Sequence, residues 1–183
     1  MFRIVAAIVF IALVFAVCRR EQRGLNAGGE SSAVWPRVLL WVMAAAWLFV
    51  VVYYGFLIRQ PGYHGGVNTQ PFWEIKRAFR LLGPSVFDGI RIASRVVFMD
   101  LVLNILLFVP FGMMMPLLFP RLPRILVVPL GLLCSALIEG VQYLTQLGMT
   151  DVDDLINNTL GTLIGLLLFL LFIRPTGKKN IDI

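Results

Sequence analysis

Five long apolar runs dominate this chain and leave few ways to fold it. They cover Phe2 to Val17, Val38 to Ile58, about Val96 to Phe119, Ile125 to about Leu147, and Leu155 to Ile173. A helix that crosses a bilayer needs about 20 predominantly apolar residues, within a range of roughly 17 to 25. The last four runs reach that length and the first is marginal. Composition points the same way: 59% of the 183 residues are hydrophobic and 14% are charged, whereas soluble domains run nearer half apolar and a quarter charged. The expected fold is all-α, a polytopic membrane bundle of about five transmembrane helices with an amphipathic interfacial helix before the third. Residues 1–58 then hold two N-terminal spans and a basic connecting loop. Residues 59–95 hold a loop with the amphipathic helix, 96–173 a three-helix core, and 174–183 a basic tail.

The first run could pass for a signal peptide. However, Phe15-Ala16-Val17-Cys18 is a poor lipobox, no A-x-A site follows, and the basic residues come after the run, so an uncleaved anchor is expected. Cys18 and Cys134 each fall in an apolar run and read as small core residues. With one histidine, His64, and no cysteine pair at ligand spacing, a zinc, haem or iron–sulfur site is not expected. The net charge of +6 is better explained by Lys and Arg flanking spans than by nucleic acid.

Those flanking charges orient the bundle. Arg19, Arg20, Arg23 and Arg37 follow the first span, Arg121 and Arg124 join the third and fourth, and Arg174, Lys178 and Lys179 lie in the tail. The three segments alternate, so all can be cytoplasmic together. This places the N-terminus outside, the C-terminus in the cytoplasm and the acidic 148–154 turn outside. Arg3 and the long 59–95 segment, with Arg59, Lys76, Arg77, Arg80, Arg91 and Arg95, count against it, although charge in long loops weighs less. That segment begins Gly- and Pro-rich from Gln60 and reads as turn. From Phe72, the residues Phe72, Ile75, Phe79 and Leu82 recur at helical spacing, opposite Lys76, Arg77 and Arg80. Such a helix could lie among anionic lipid head groups or cap the bundle through its apolar face. Gly83-Pro84 breaks it, and Ser85 is a plausible N-cap for a stretch running on into the third span.

Polar groups inside spans are costly and usually face the bundle interior. Asp100 and Asn104 share a helical face in the third span, whose Pro110 removes a backbone donor. Ser135, Glu139, Gln142 and Gln146 share a face in the fourth. Asp154, Asn158, Gly161 and Gly165 share one in the fifth, where the glycine pair would admit a neighbouring helix closely. Asp151, Asp153 and Asp154 stand at the mouth of that last span. Alternation of the spans puts all three stripes in the same half of the bundle. They form either interhelical glue, worth about 0.6 kcal/mol per polar contact, or a shared pocket.

Taken in order, four elements carry a resemblance. They are Asn68-Thr69-Gln70-Pro71-Phe72, the run Asn104 to Gly112 ending Val109-Pro110-Phe111-Gly112, Glu139-x-x-Gln142, and Asp151-Val152-Asp153-Asp154 followed by Asn158, Gly161 and Gly165. Over about Asn68 to Phe172 the chain resembles the VanZ-like family. The resemblance implies a bacterial envelope membrane protein of a family named for association with resistance to glycopeptide antibiotics, particularly teicoplanin. It supplies no reaction. Many members carry an Arg in the turn before the acidic cluster, and Gln146 to Thr150 has none; if that Arg pairs with an anion in relatives, the ligand or mechanism differs here.

Three functions fit these residues. In the first, a non-enzymatic protein of the bacterial cell membrane binds a lipid-linked cell-wall or teichoic-acid precursor, or another envelope ligand. Its outer-leaflet pocket would be drawn from Asp100, Asn104, Glu139, Gln142, Asp151, Asp153, Asp154 and Asn158, with Lys76, Arg77 and Arg80 on lipid head groups. In the second, carboxylates act as acid and base or hold a divalent cation, and the protein is an enzyme modifying such a precursor; no Ser, Cys or His has a plausible nucleophile–base partnership. The third is a small flippase or transporter, which would need an oligomer to alternate access.

Overall fold

The computed structural model describes residues 2–26, 34–59, 67–73, 76, 88–147 and 150–173. Among them, five helices are long and apolar enough to cross a membrane. They are α1 (Phe2–Asn26), α2 (Val34–Val52), α3 (Asp88–Leu118), α4 (Val127–Thr145) and α5 (Val152–Leu168). Two end in wider π turns, α2 through Tyr53–Leu57 and α5 through Phe169–Ile173, and a 3-10 turn, Arg124–Leu126, leads into α4.

The burial pattern is inverted relative to a water-soluble helix. In α4 the buried residues are Val127, Gly131, Ser135, Glu139 and Gln142, while Leu132, Leu133, Leu137, Val141 and Leu144 are exposed. A helix that hides its polar residues and presents its leucines is built for lipid, where polar groups must find partners inside the protein. Outward-facing Leu13, Trp41, Phe49 and Leu171 extend the same apolar surface over α1, α2 and the end of α5.

At the centre, α3 lies against α5, and its residues from Phe108 to Met114 are all buried. Glycine makes this approach possible. A Cβ at Gly161 would strike the carbonyl of Ile105, one at Gly165 the carbonyl of Val109, and one at Gly112 the carbonyl of Thr162. The sequence marked Gly161 and Gly165; Gly112, facing them from α3, completes the contact. On the other side of α5, Gly131 of α4 leaves room for Thr162. Trp47 of α2 closes the core by packing on Phe108 and Phe111, with ring centroids 5.7 and 5.2 Å away. Its indole N–H donates to the Leu107 carbonyl at 2.6 Å, next to the Leu106 carbonyl that Pro110 leaves without a helical donor.

The first helix is longer than its apolar run, because it continues through Arg19, Arg20 and Arg23 to Asn26. Those arginines are helical, and the span reaches Gly24. Continuing the helix lets Glu21 bury almost completely, at 1% exposure, where the Arg37 guanidinium of α2 donates to it at 3.1 Å. Arg37 is thus also a fastener between α1 and α2. Most of the amphipathic helix expected from Phe72 to Leu82, including Arg77 and Arg80, lies outside the described residues, as do Gly83, Pro84 and Ser85. What is described there is a helical turn in which the Lys76 N–H donates to the Phe72 carbonyl at 2.9 Å.

Gly161→Ala is expected to lower thermal stability in detergent by about 1–3 kcal/mol, the usual cost of overpacking. Gly140→Ala, where an added Cβ meets nothing within 4 Å, should be neutral or gain up to about 1 kcal/mol from helix propensity. Arg37→Ala strands the buried Glu21 carboxyl and should destabilise more than the paired change Glu21→Leu/Arg37→Ala, measured by the same unfolding scans.

Candidate functional site

One end of the bundle gathers the start of α1, the end of α2, the first half of α3, the end of α4 and the start of α5. Contacts between Arg3 and the Tyr54 ring, 5.5 Å from its centroid, and between Gln142 and Gly55 tie these ends together. Here the polar stripes meet. The Asn104 amide of α3 donates to the Asp154 carboxyl of α5. The Asn158 amide of α5 donates to the Ser135 hydroxyl of α4 at 2.9 Å. Glu139 of α4 accepts the Asp151 backbone N–H at 3.1 Å. The Gln142 amide donates at 3.0 Å to the Gly55 carbonyl within the π turn of α2. The expected fourth member of the α4 stripe, Gln146, stands apart. It is exposed and takes a left-handed conformation, φ 55°, as the C-cap of α4, so its side chain has left the helical face.

The acids divide into two groups. Asp151 and Asp153 are structural. Asp151 is extended (φ −125°, ψ 128°) and caps α5 by accepting the Asp153 N–H at 2.9 Å. An acid at this position also meets the positive end of the helix dipole. Its two carboxyl oxygens accept the Asn68 amide at 3.2 and 3.1 Å. Thr150–Asp151 pairs in parallel with Val67–Asn68, giving a two-stranded sheet of β1 (Val67–Asn68) and β2 (Thr150–Asp151). Asn68 then accepts the Gln70 N–H at 3.2 Å, and Asp153 accepts the Phe72 N–H. Phe72 itself is left-handed, with φ 60°, which a non-glycine residue adopts only where its surroundings hold it. Residues 67–73 therefore form a strap fastened across the start of α5. Lys76 is exposed, and its ammonium donates to the Pro71 carbonyl of that strap at 3.4 Å.

Glu139 and Asp154 form the second group. Their carboxyls lie close together at the α4–α5 seam, each bearing on the other. Asp100, exposed at the rim, acts on Asp154 through its charge. Arg59, just beyond the π turn of α2, acts electrostatically on Asp100, Glu139 and Asp154 alike. It is a cation that sequence reasoning counted only as loop charge. Among the described residues, several buried polar atoms have no hydrogen-bond partner at this end: Gln142 Oε1, Asn158 Oδ1 and Asn157 Nδ2.

These features define a multi-pass helical membrane protein whose polar network is concentrated at one end of the bundle. The family is identified by comparison: residues 37–173 match the VanZ/LLP1 family, and the chain belongs to it. Among curated proteins, it is 29% identical over 85 residues to Protein VanZ of Enterococcus faecium, a match covering 46% of this chain and 53% of that relative. The match thus spans about half the length of the curated relative. No solved structure matches.

Asp151→Ala should release the strap without unfolding the bundle. Hydrogen–deuterium exchange over residues 67–73 is expected to rise, while exchange in the α3–α5 core stays at the wild-type level.

Proposed function

We propose that the protein resides in a bacterial cell membrane, with its N-terminus outside and its C-terminus in the cytoplasm, and binds a lipid-linked or other envelope ligand. The binding site is the polar end of the bundle, in the outer leaflet. Glu139, Asp154 and Asn104 hold the polar part of the ligand, Asn158 and Gln142 line the seam, and Asp100 and Arg59 form the rim. Asp151 and Asp153 serve by fixing the strap and the start of α5.

The observation that carries this reading is the Glu139–Asp154 pair. Two carboxyls packed together within spans are expensive, and a bundle needing only adhesion could use neutral amides such as Asn158 with Ser135. The chain belongs to the VanZ/LLP1 family, and the association of that family with glycopeptide resistance supports a role in lowering susceptibility to glycopeptides such as teicoplanin. Engagement of an envelope precursor would change what the antibiotic meets at the outer leaflet.

A second reading has its own support. The bonds Asn104–Asp154 and Asn158–Ser135 are what interhelical glue looks like, and in that case the network contributes stability alone. The two readings separate in a susceptible bacterial host expressing the protein. Under the proposal, Glu139→Gln and Asp154→Asn abolish the shift in teicoplanin inhibitory concentration while the variants accumulate in the membrane at wild-type levels. Full retention of the shift by both variants would leave the glue reading in its place.

A further inference from the structure

The unpartnered atoms at the polar end have a chemical sense that depends on where they lie. Ser135, Glu139 and Gln142 follow one another along α4, one turn apart, and Asp154 and Asn158 face them from α5, which Asp151 caps. Asn158 uses its amide nitrogen on Ser135, so the atom it leaves over at this seam is the oxygen. Gln142 uses its amide nitrogen on the Gly55 carbonyl, so it too leaves an oxygen. Both side chains are more than nine-tenths buried, at 6% and 1% exposure, and both oxygens lack a donor among the described residues. One lies a turn to either side of the Glu139–Asp154 pair. The seam thus offers two carboxyls flanked by two amide oxygens, every one of them an acceptor. Asn157, about 100° round α5 from Asn158, leaves a donor, Nδ2, on a different face.

A site of buried acceptors around acids calls for a ligand that brings hydrogen atoms and positive charge. Among the described residues, no group of three or more His, Cys, Asp or Glu is placed to hold a metal ion. A protonated primary amine meets the need directly, because its N–H donors can serve a carboxyl and an amide oxygen beside it, and hydrogen bonds to charged groups are the stronger kind. We propose that the ligand group received between α4 and α5 is a primary ammonium, borne on the head group of a membrane lipid or lipid-linked molecule. This rests on the binding reading above and specifies the ligand's chemistry. Arg59 at the rim would then meet the neighbouring phosphate.

The test uses the purified full chain in detergent with defined lipids added: phosphatidylethanolamine, its N-methyl derivative, phosphatidylcholine and phosphatidylglycerol. Thermal stability read at increasing lipid gives apparent affinities. The expected order follows the number of N–H donors, with the ethanolamine head group tightest, its N-methyl derivative next and the choline head group at least tenfold weaker, since losing a charge-assisted hydrogen bond costs about a factor of ten or more. Glu139→Gln and Asp154→Asn, each checked for helix content, should flatten that order. Equal stabilisation by all four lipids, or stabilisation by phosphatidylglycerol as strong as by the ethanolamine lipid, would overturn the ammonium assignment. If the antibiotic-susceptibility shift nevertheless depended on Glu139 and Asp154, the binding reading would stand with a different ligand. Loss of both results would remove both.

Discussion

The contact between α3 and α5 is the constraint on which the rest of the structure depends. In lipid there is no hydrophobic gain from pressing two apolar helices together, so close packing must supply the attraction. Gly112, Gly161 and Gly165 bring the two backbones near enough for that, to the point where a methyl group on any of them would meet a main-chain oxygen. At the polar end, the same approach lets a short side chain, Asn104, reach Asp154. Without the glycines the two stripes would face each other across a gap, and each polar group would have to be satisfied separately.

The polar network is arranged in levels along that contact. Nearest the centre, Thr162 donates to the Asn158 carbonyl of its own helix at 3.0 Å and fills the space that Gly131 leaves in α4. Asn158 with Ser135 forms the next level, Glu139 with Asp154 the next, and Gln142 with Gly55 bounds the network where α2 ends. The strap at residues 67–73 lies over the start of α5 through Asp151 and Asp153. At the opposite end of the bundle, the aromatic contact between Trp41 and Phe119, centroids 5.8 Å apart, and the ion pair of Glu21 with Arg37 hold α1, α2 and α3 in register.

How much of this was legible in the sequence depends on the range of the interaction. Helical periodicity identified Asn104 on α3, Ser135, Glu139 and Gln142 on α4, and Asp154 and Asn158 on α5, because one buried face of a helix repeats along the chain itself. The five spans were legible from the length of their apolar runs. Periodicity failed at Gln146, where the helix ends in a left-handed residue and the repeat no longer applies. It also could not reveal the role of Asn68. That residue sits in a two-residue strand whose partner lies 83 positions away, and nothing local distinguishes it from any other loop asparagine. Arg59 and Glu21 were hidden by similar causes: a charge near a span end looks like a flanking charge until the neighbouring helix is seen. The family motif did contain the strap, through the sequence from Asn68 to Phe72, but a motif gives residues and spacing without the hydrogen bonds that explain them.

The π turn at the end of α2 has a consequence of its own. Ile58 donates to the Tyr53 carbonyl five residues back, at 3.1 Å, so this stretch carries one residue more than an α-helix of equal rise. Such a turn behaves as a single-residue insertion absorbed within a helix. Rewinding this stretch as α-helix with no residue removed would turn everything beyond it by about 100°. Arg59 would swing off the acids and the Gly55 carbonyl away from Gln142, with scarcely any change in hydropathy or span length. The electrostatics of the polar end are therefore set by a winding number in a helix that contributes no acid to it.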